Sequence, residues 1–154
     1  MFINPKSQIL NPKQYQITKI QNSHPSGDPP RAEKPAEISS KQYDLEDRTY
    51  LFAKHCRDFI SRLPKMTVNF EYGKQLARSA GSQAANYIEA NESISRKDFL
   101  LRLKICRKEA KESRLWLRLA EAGNDTAGNK IKNELIQEAM ELTCIFGAIL
   151  EKSK

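Results

Sequence analysis

Six basic side chains in residues 96–119 have the spacing that best indicates a chemical role. From Lys104 onward they recur every three or four residues, which places them on one helical face, and five of them span about 21 Å at 1.5 Å per residue. Like charges one turn apart repel, so solvated helices usually mix signs. A sustained basic face therefore predicts attraction to the phosphates of RNA or DNA, without sequence readout. We call these residues the basic stripe: Lys97, Lys104, Arg107, Lys111, Arg114 and Arg118.

Other interpretations of the basic stripe are an ordinary solvated face and a surface that pairs with acidic groups of a neighbouring subunit. Arg102 and Lys108 add positive charge nearby. Clear aromatic stacking platforms are missing, and Trp116 is better explained by a core or interface role. The first hypothesis is therefore a non-enzymatic protein that binds nucleic acid electrostatically. The alternative is a protein-interaction scaffold whose basic face binds an acidic partner.

A second set of polar side chains lies among small and apolar residues. Charged groups are tolerated in such places only when they are paired, and buried networks fix helix register more than they add stability. We therefore predict a buried polar network, and we assign its members, with Ser82 and Trp116, to structural or interface roles. The predicted network joins Arg48, Arg78, Asn86, Glu89, Glu109 and Glu112.

The same carboxylates could instead form an acid/base pair or a metal site. Di-metal bundles require a histidine three residues after a glutamate, and neither His24 nor His55 has one there. No phosphate-binding loop or zinc-protease motif is present, so we expect no catalysis, no metal and no cofactor. Cys56, Cys106 and Cys144 are odd in number and far apart, which favours buried, reduced thiols in a cytoplasmic protein.

Four helical segments must position these residues. Their apolar residues recur at the helical period, most regularly in the third segment, and no segment has a convincing period of two. We predict helices over about 45–63, 70–90, 96–120 and 125 or 129 to 151. Asn69 and Ser95 are the expected N-caps of the second and third helices, and Pro64 and Gly123 the expected stops of the first and third. The predicted fold is all-α, an antiparallel up-down four-helix bundle of residues 44–154.

Some faces of this bundle have no obvious partner. The third and fourth helices are apolar over more than one stripe, which indicates either a wide core or a subunit interface. Gly81 interrupts the second helix at a cost of about 1 kcal/mol relative to Ala. Close approach of another helix would offset that cost.

Residues 1–43 differ in composition from the rest of the chain. They contain all the prolines except Pro64, and the stretch SHPSGDPPRAEKP at 23–35 cannot hold a helix or a central strand. The stretch YQITKI at 15–20 is β-prone and could add to a sheet edge or a partner, but a tail without structure fits the composition better. We predict a Pro-rich, mostly disordered extension. The 154-residue chain has a net charge of +7 and 39% hydrophobic residues, with no apolar run near the roughly 20 residues of a spanning helix. Its first residues lack a secretory pattern, which favours a soluble cytoplasmic protein.

Three segments carry a family resemblance: DLEDRT at 44–49, LARSAGSQAANYIEA at 76–90 and FLLRLKICRKEAKESRLWL at 99–117. Together they resemble the four-helix bundle proteins encoded in 23S ribosomal RNA intervening sequences. The accessory variability determinant of diversity-generating retroelements belongs to the same group. The resemblance covers residues 44–154, and Cys106 departs from the small residue expected there.

The resemblance implies a homopentamer of bundles that forms a barrel with a basic surface. For the retroelement member it also implies binding to nucleic acid and to a reverse transcriptase. The basic positions of the third helix would line the nucleic-acid surface. The polar residues of the matching motifs would be structural or interface residues: Arg78, Ser82, Asn86, Glu89, Glu109 and Glu112.

Overall fold

The computed structural model describes residues 45–153, which form four α-helices joined by short connections. Each helix packs against the next in sequence, and the first also packs against the last, so the predicted antiparallel four-helix bundle is confirmed. The part of the chain that the structure describes contains no strand, and none of its helices is long and apolar enough to cross a membrane. The predicted extension at 1–43 lies outside the described residues. The helices are α1, Leu45–Arg62; α2, Thr67–Asn91; α3, Arg96–Leu119; and α4, Thr126–Lys152.

The core of the bundle follows the apolar periodicity of the sequence. Phe52, Phe59, Leu76 and Phe146 are almost fully buried and fill the centre of the bundle. The predicted seam of α3 is confirmed, because one side chain per turn is buried along nearly its whole length. Those α3 residues are Leu103, Cys106, Ala110, Ser113 and Leu117.

The helix ends confirm part of the capping prediction. Ser95 Oγ accepts a hydrogen bond of 3.1 Å from the Asp98 backbone N–H, as an N-cap does. Pro64 follows the end of α1 at Arg62. Gly123 has the expected positive φ of 65°, but α3 ends four residues earlier, because Ala120 is already extended. Gly123 therefore shapes the α3–α4 connection and does not cap α3.

The predicted N-cap role of Asn69 is wrong. Helix α2 begins three residues earlier, with Met66 at the N-cap position. The buried Asn69 side chain instead crosses to the α3–α4 connection, where its Oδ1 accepts from Glu121 N at 2.9 Å. Its Nδ2 donates to Glu121 O at 2.9 Å and to Pro64 O at 3.1 Å. Asn69 thus joins the two connections at one end of the bundle.

Gly81 lies on the exposed side of α2, where a Cβ would meet no atom within 4 Å. No helix of the described chain therefore approaches it, contrary to the expectation from its small neighbours. At Gly73, by contrast, a Cβ would lie 3.1 Å from Ile60 Cγ2.

We expect Gly81→Ala to raise the free energy of unfolding by about 1 kcal/mol, because alanine is the better helix former and the space is open. Urea denaturation followed by circular dichroism measures this. Gly73→Ala is the matched control and should gain less, since Ile60 must move. Destabilisation by Gly81→Ala would instead show that a further surface, such as a second copy of the chain, covers this part of α2.

Candidate nucleic-acid interface

The basic stripe runs along the flank of α3, beside its buried seam. From Lys104 onward each stripe residue directly follows a buried one, about 100° further round the helix, as Lys104 follows Leu103. Nε of Arg114 is itself buried, without a hydrogen-bond partner among the described residues. Five of the six residues are exposed, and Arg114 is half-buried. None of the six forms an ion pair with any residue between 45 and 153. The structure therefore brings together the cations that the sequence predicted and leaves their charges uncompensated within this range.

The middle of the basic stripe borders α4. Arg107 lies against Gly147, with its guanidinium Cζ and Nε each 3.5 Å from the point where a Cβ of residue 147 would stand. An open groove of about 370 Å³ runs beside it, and we call this the α3–α4 groove. Its lining residues are Lys104, Arg107, Lys108, Lys111, Glu112 and Leu150.

On its α2 side the basic stripe is bordered by carboxylates. Lys108 Nζ lies 3.5 Å from Glu112 Oε1 and 3.9 Å from Glu109 Oε1. Burial raises the pKa of Glu109, and the neighbouring charge of Glu112 raises it further. Because these acids compensate Lys108, the uncompensated positive charge faces outward and toward α4.

The predicted polar network forms in part along the α2–α3 contact. Asn86 Nδ2 donates to Ser82 O at 2.9 Å, and Asn86 Oδ1 accepts from Arg102 Nη1 at 3.2 Å. Arg102 also pairs with Glu89 and lies 3.6 Å from Asp98. The sequence prediction did not include Arg102 in the network. Its position four residues after Asp98 was the available signal, since residues at i and i+4 share a helix face.

The prediction that this network is buried is wrong. Glu89, whose side chain is 51% exposed, and Arg78 are exposed, and the other four members are half-buried. Arg78 still favours the charged form of Glu109, which stands deeper in the contact. Exposed ion pairs contribute about 0–1 kcal/mol each, so these residues add little stability to the isolated chain.

Arg48 does not belong to that network, which corrects the prediction. It lies on the α4 side of α1 and binds both carboxylate oxygens of Glu138, with Nε–Oε1 and Nη2–Oε2 distances of 2.6 and 2.8 Å. Its Nη2 also donates to Glu141 at 2.6 Å. These hydrogen bonds raise the pKa of Arg48, which is charged at any physiological pH. Arg48 therefore fixes α1 against α4.

Trp116 supports the predicted structural role. Its ring stacks on Tyr72 of α2, with the centroids 6.1 Å apart and an interplanar angle of 27°.

Three leucines of α3 near the basic stripe are exposed: Leu101, Leu115 and Leu119 are 54%, 46% and 41% exposed. Part of the wide apolar surface expected from the sequence is therefore uncovered in the single chain.

The cysteines and the other potential metal ligands form no assembled site in the described part of the chain. Cys56 and Cys106 are buried, and burial raises the pKa of both thiols, that of Cys106 to about 12. Both are therefore protonated at neutral pH. Cys144 is exposed, contrary to the expectation of a buried thiol. Between residues 45 and 153, no three His, Cys, Asp or Glu side chains gather as metal ligands would.

The fold and the surface define an all-α protein: a four-helix bundle with an uncompensated basic face on its third helix. The chain belongs to the 23S rRNA-intervening sequence protein family, whose family model matches residues 41–147. The family resemblance seen in the sequence is thereby confirmed.

A solved structure supports the same fold. It is the 1.70 Å crystal structure of a protein of unknown function from the S23 ribosomal protein family of Bacteroides thetaiotaomicron VPI-5482. It superposes on this chain with a TM-score of 0.61 at 27% sequence identity, covering 70% of this chain and 99% of its own. No curated protein matches the chain.

Proposed function

We propose that this protein is a non-enzymatic, oligomeric accessory protein that binds RNA or DNA through the basic stripe of α3. The main observation behind the proposal is that some cations of the bundle have a carboxylate partner and others do not. Arg48, Arg102 and Lys108 each have a carboxylate partner, whereas the stripe has none within residues 45–153. Uncompensated, aligned cations attract phosphates and release condensed counterions on binding.

The geometry favours backbone contact over base recognition. A straight helical face offers its charges along a line of about 21 Å, which suits a run of phosphates. Preference for a particular base would require donors and acceptors aimed at base edges, and long flexible lysines and arginines on an open surface do not provide that. The expected binding is therefore strong at low salt and tolerant of sequence.

A second candidate function is a scaffold that binds an acidic protein. The observation that favours it is the exposure of Leu101, Leu115 and Leu119 near the cations. A protein partner would cover these leucines, whereas a phosphate backbone would gain nothing from them.

Assembly is part of the proposal. The resemblance to the accessory variability determinant of retroelements supports a homopentamer and a reverse transcriptase partner, and the three free cysteines support a cytoplasmic location. Exposed apolar residues also support an association between copies: Phe70 is 65% and Ile94 is 97% exposed. Light scattering coupled to size-exclusion chromatography measures the mass directly, and a monomer at all concentrations would contradict the oligomer.

The test of nucleic-acid binding is a salt titration. A labelled structured RNA and a DNA duplex are each titrated with the full chain by fluorescence anisotropy at several salt concentrations. We expect log Kd to rise linearly with log salt, by about 0.9 for each phosphate neutralised on a duplex. A poly-glutamate competitor controls for general polyanion binding. Absence of binding at low salt, or equal competition by poly-glutamate, would favour the scaffold.

A further inference from the structure

We infer that the α3–α4 groove is a discrete site for a polyphosphate group, a short chain of linked phosphoryl groups. The inference deepens the proposed function and rests on it only in using the same face of α3. The proposed function requires a diffuse field along the whole stripe. The groove adds one point where several charges converge on a compact ligand.

Three cations of α3 line the groove. Lys104, Arg107 and Lys111 stand on successive turns of α3 and cover about 10.5 Å along its axis. All three lack an ion-pair partner in the described range. A single phosphate is too small to meet all three cations, whereas a chain of three phosphoryl groups extends far enough to contact each.

The side chain of Arg107 is already held at the groove. Arg107 does not extend freely into solvent, because its guanidinium lies across the bare backbone at Gly147, within 3.5–3.7 Å of the position of an absent Cβ. A side chain already held at the binding surface loses less conformational freedom when the ligand arrives. Arg107 can therefore bind an anion more favourably than an unrestrained surface arginine can.

The residues at the edges of the groove and its volume determine which ligand it can bind. Glu112 holds Lys108 on the α2 side and repels anions there, which directs a ligand toward α4. Leu150 supplies the one apolar side chain of the lining, on α4. The volume of about 370 Å³ falls in the range of small-molecule sites, roughly 300–1,000 Å³.

A polyphosphate group of this kind has two chemical sources. One is the triphosphate at the 5′ end of an RNA strand, and the other is a free nucleoside triphosphate. The shared chemistry is the triphosphate, and the groove is open enough for either a nucleoside or an RNA chain to continue into solvent.

The experiment is isothermal titration calorimetry of the full chain with inorganic tripolyphosphate and with inorganic phosphate, in magnesium-free buffer. We expect tripolyphosphate to bind at least about tenfold more tightly. Lys104→Gln with Lys111→Gln should weaken it by about tenfold or more, as expected for lost charge-assisted hydrogen bonds. The matched control, Lys97→Gln with Arg118→Gln, removes the same charge outside the groove and should change affinity less than about twofold. Circular dichroism confirms that both variants stay folded.

Two RNA oligonucleotides of one sequence, with a 5′-triphosphate or a 5′-hydroxyl, distinguish the sources. Preference for the triphosphate end identifies RNA ends, whereas competition by ATP without such a preference identifies the free nucleotide. Equal affinity for phosphate and tripolyphosphate, or equal loss in both double variants, would overturn the groove and leave only a diffuse field. Tripolyphosphate binding without binding of 5′-hydroxyl RNA or duplex DNA would contradict the proposed function and leave the groove intact.

Discussion

Reversing two charges of the basic stripe, Lys104→Glu with Arg107→Glu, is expected to weaken RNA and DNA binding by about a hundredfold or more near physiological salt. Each substitution removes a charge-assisted contact worth about 1.5–3 kcal/mol and adds a repelling carboxylate. The log–log salt dependence should also become shallower by about two, since two phosphates are no longer neutralised. Both side chains are exposed, so the fold should survive. Fluorescence anisotropy across a salt series gives both quantities.

The bundle offers a matched control for this double reversal. Lys54 and Arg57 have the same three-residue spacing and are also exposed, but they lie on α1, which packs mainly against α2 and α4. Arg57 differs from Arg107 in one respect, since it pairs with the adjacent Asp58 at 2.7 Å. Lys54→Glu with Arg57→Glu changes the net charge equally, and we expect an affinity loss below about threefold because screened charges act weakly at a distance. Equal losses in the two double variants would show that net charge, and not the basic stripe, controls binding.

The fold could be predicted from the sequence because its signals are local. Each helix carries an apolar face that repeats within its own segment, and the proline after α1 and the serine before α3 mark ends through interactions a few residues long. Asn69 shows where local reasoning fails. An asparagine ahead of a helical pattern is commonly an N-cap, but its partner here is Glu121, 52 residues away. No local pattern indicates that partner.

The candidate site was predictable to a similar extent. The basic stripe depends only on spacing along α3, and the structure places its six residues along that helix, with Arg114 half-buried and the other five exposed. Ion pairs between different helices were harder to predict from the sequence. Arg48 found its carboxylates on α4, 90 and 93 residues away, whereas the prediction grouped it with α2 and α3. The sequence placed Arg102 only as additional positive charge near the basic stripe, whereas the structure makes it the central cation of the α2–α3 network. Deciding which cations are compensated requires the tertiary structure.

This distinction bears directly on function. The sequence shows α3 as rich in basic residues on several sides, but the structure divides them into cations that have a carboxylate partner and cations that have none between residues 45 and 153. Arg102, paired with Glu89 of α2, and Lys108, paired within α3, are in the first group, and the basic stripe is in the second. Only the second group can pair with an external anion without breaking an existing interaction. Mutations in the two groups should therefore separate effects on binding from effects on helix packing.

Asn69→Ala is expected to lower the free energy of unfolding by about 2–4 kcal/mol. The buried amide makes three hydrogen bonds that join the α1–α2 turn to the α3–α4 connection. Alanine would leave the Glu121 N–H and carbonyl oxygen without these partners, whereas the Pro64 carbonyl would keep its hydrogen bond from the Met66 N–H. Unpaired buried backbone groups cost about 1–3 kcal/mol each. Urea denaturation measures the change, and a native circular dichroism spectrum at low temperature shows that the variant folds.

The control for Asn69→Ala is the same replacement at an exposed asparagine of α4, Asn133→Ala, which should change stability by no more than about 0.5 kcal/mol. A loss below about 1 kcal/mol in Asn69→Ala would mean that water replaces the amide, and that the two connections are not joined by this residue. A loss in the expected range with unchanged RNA affinity of the folded protein would separate the two roles within the bundle. Asn69 would then stabilise one end of the fold, and the basic stripe of α3 would carry the binding independently of it.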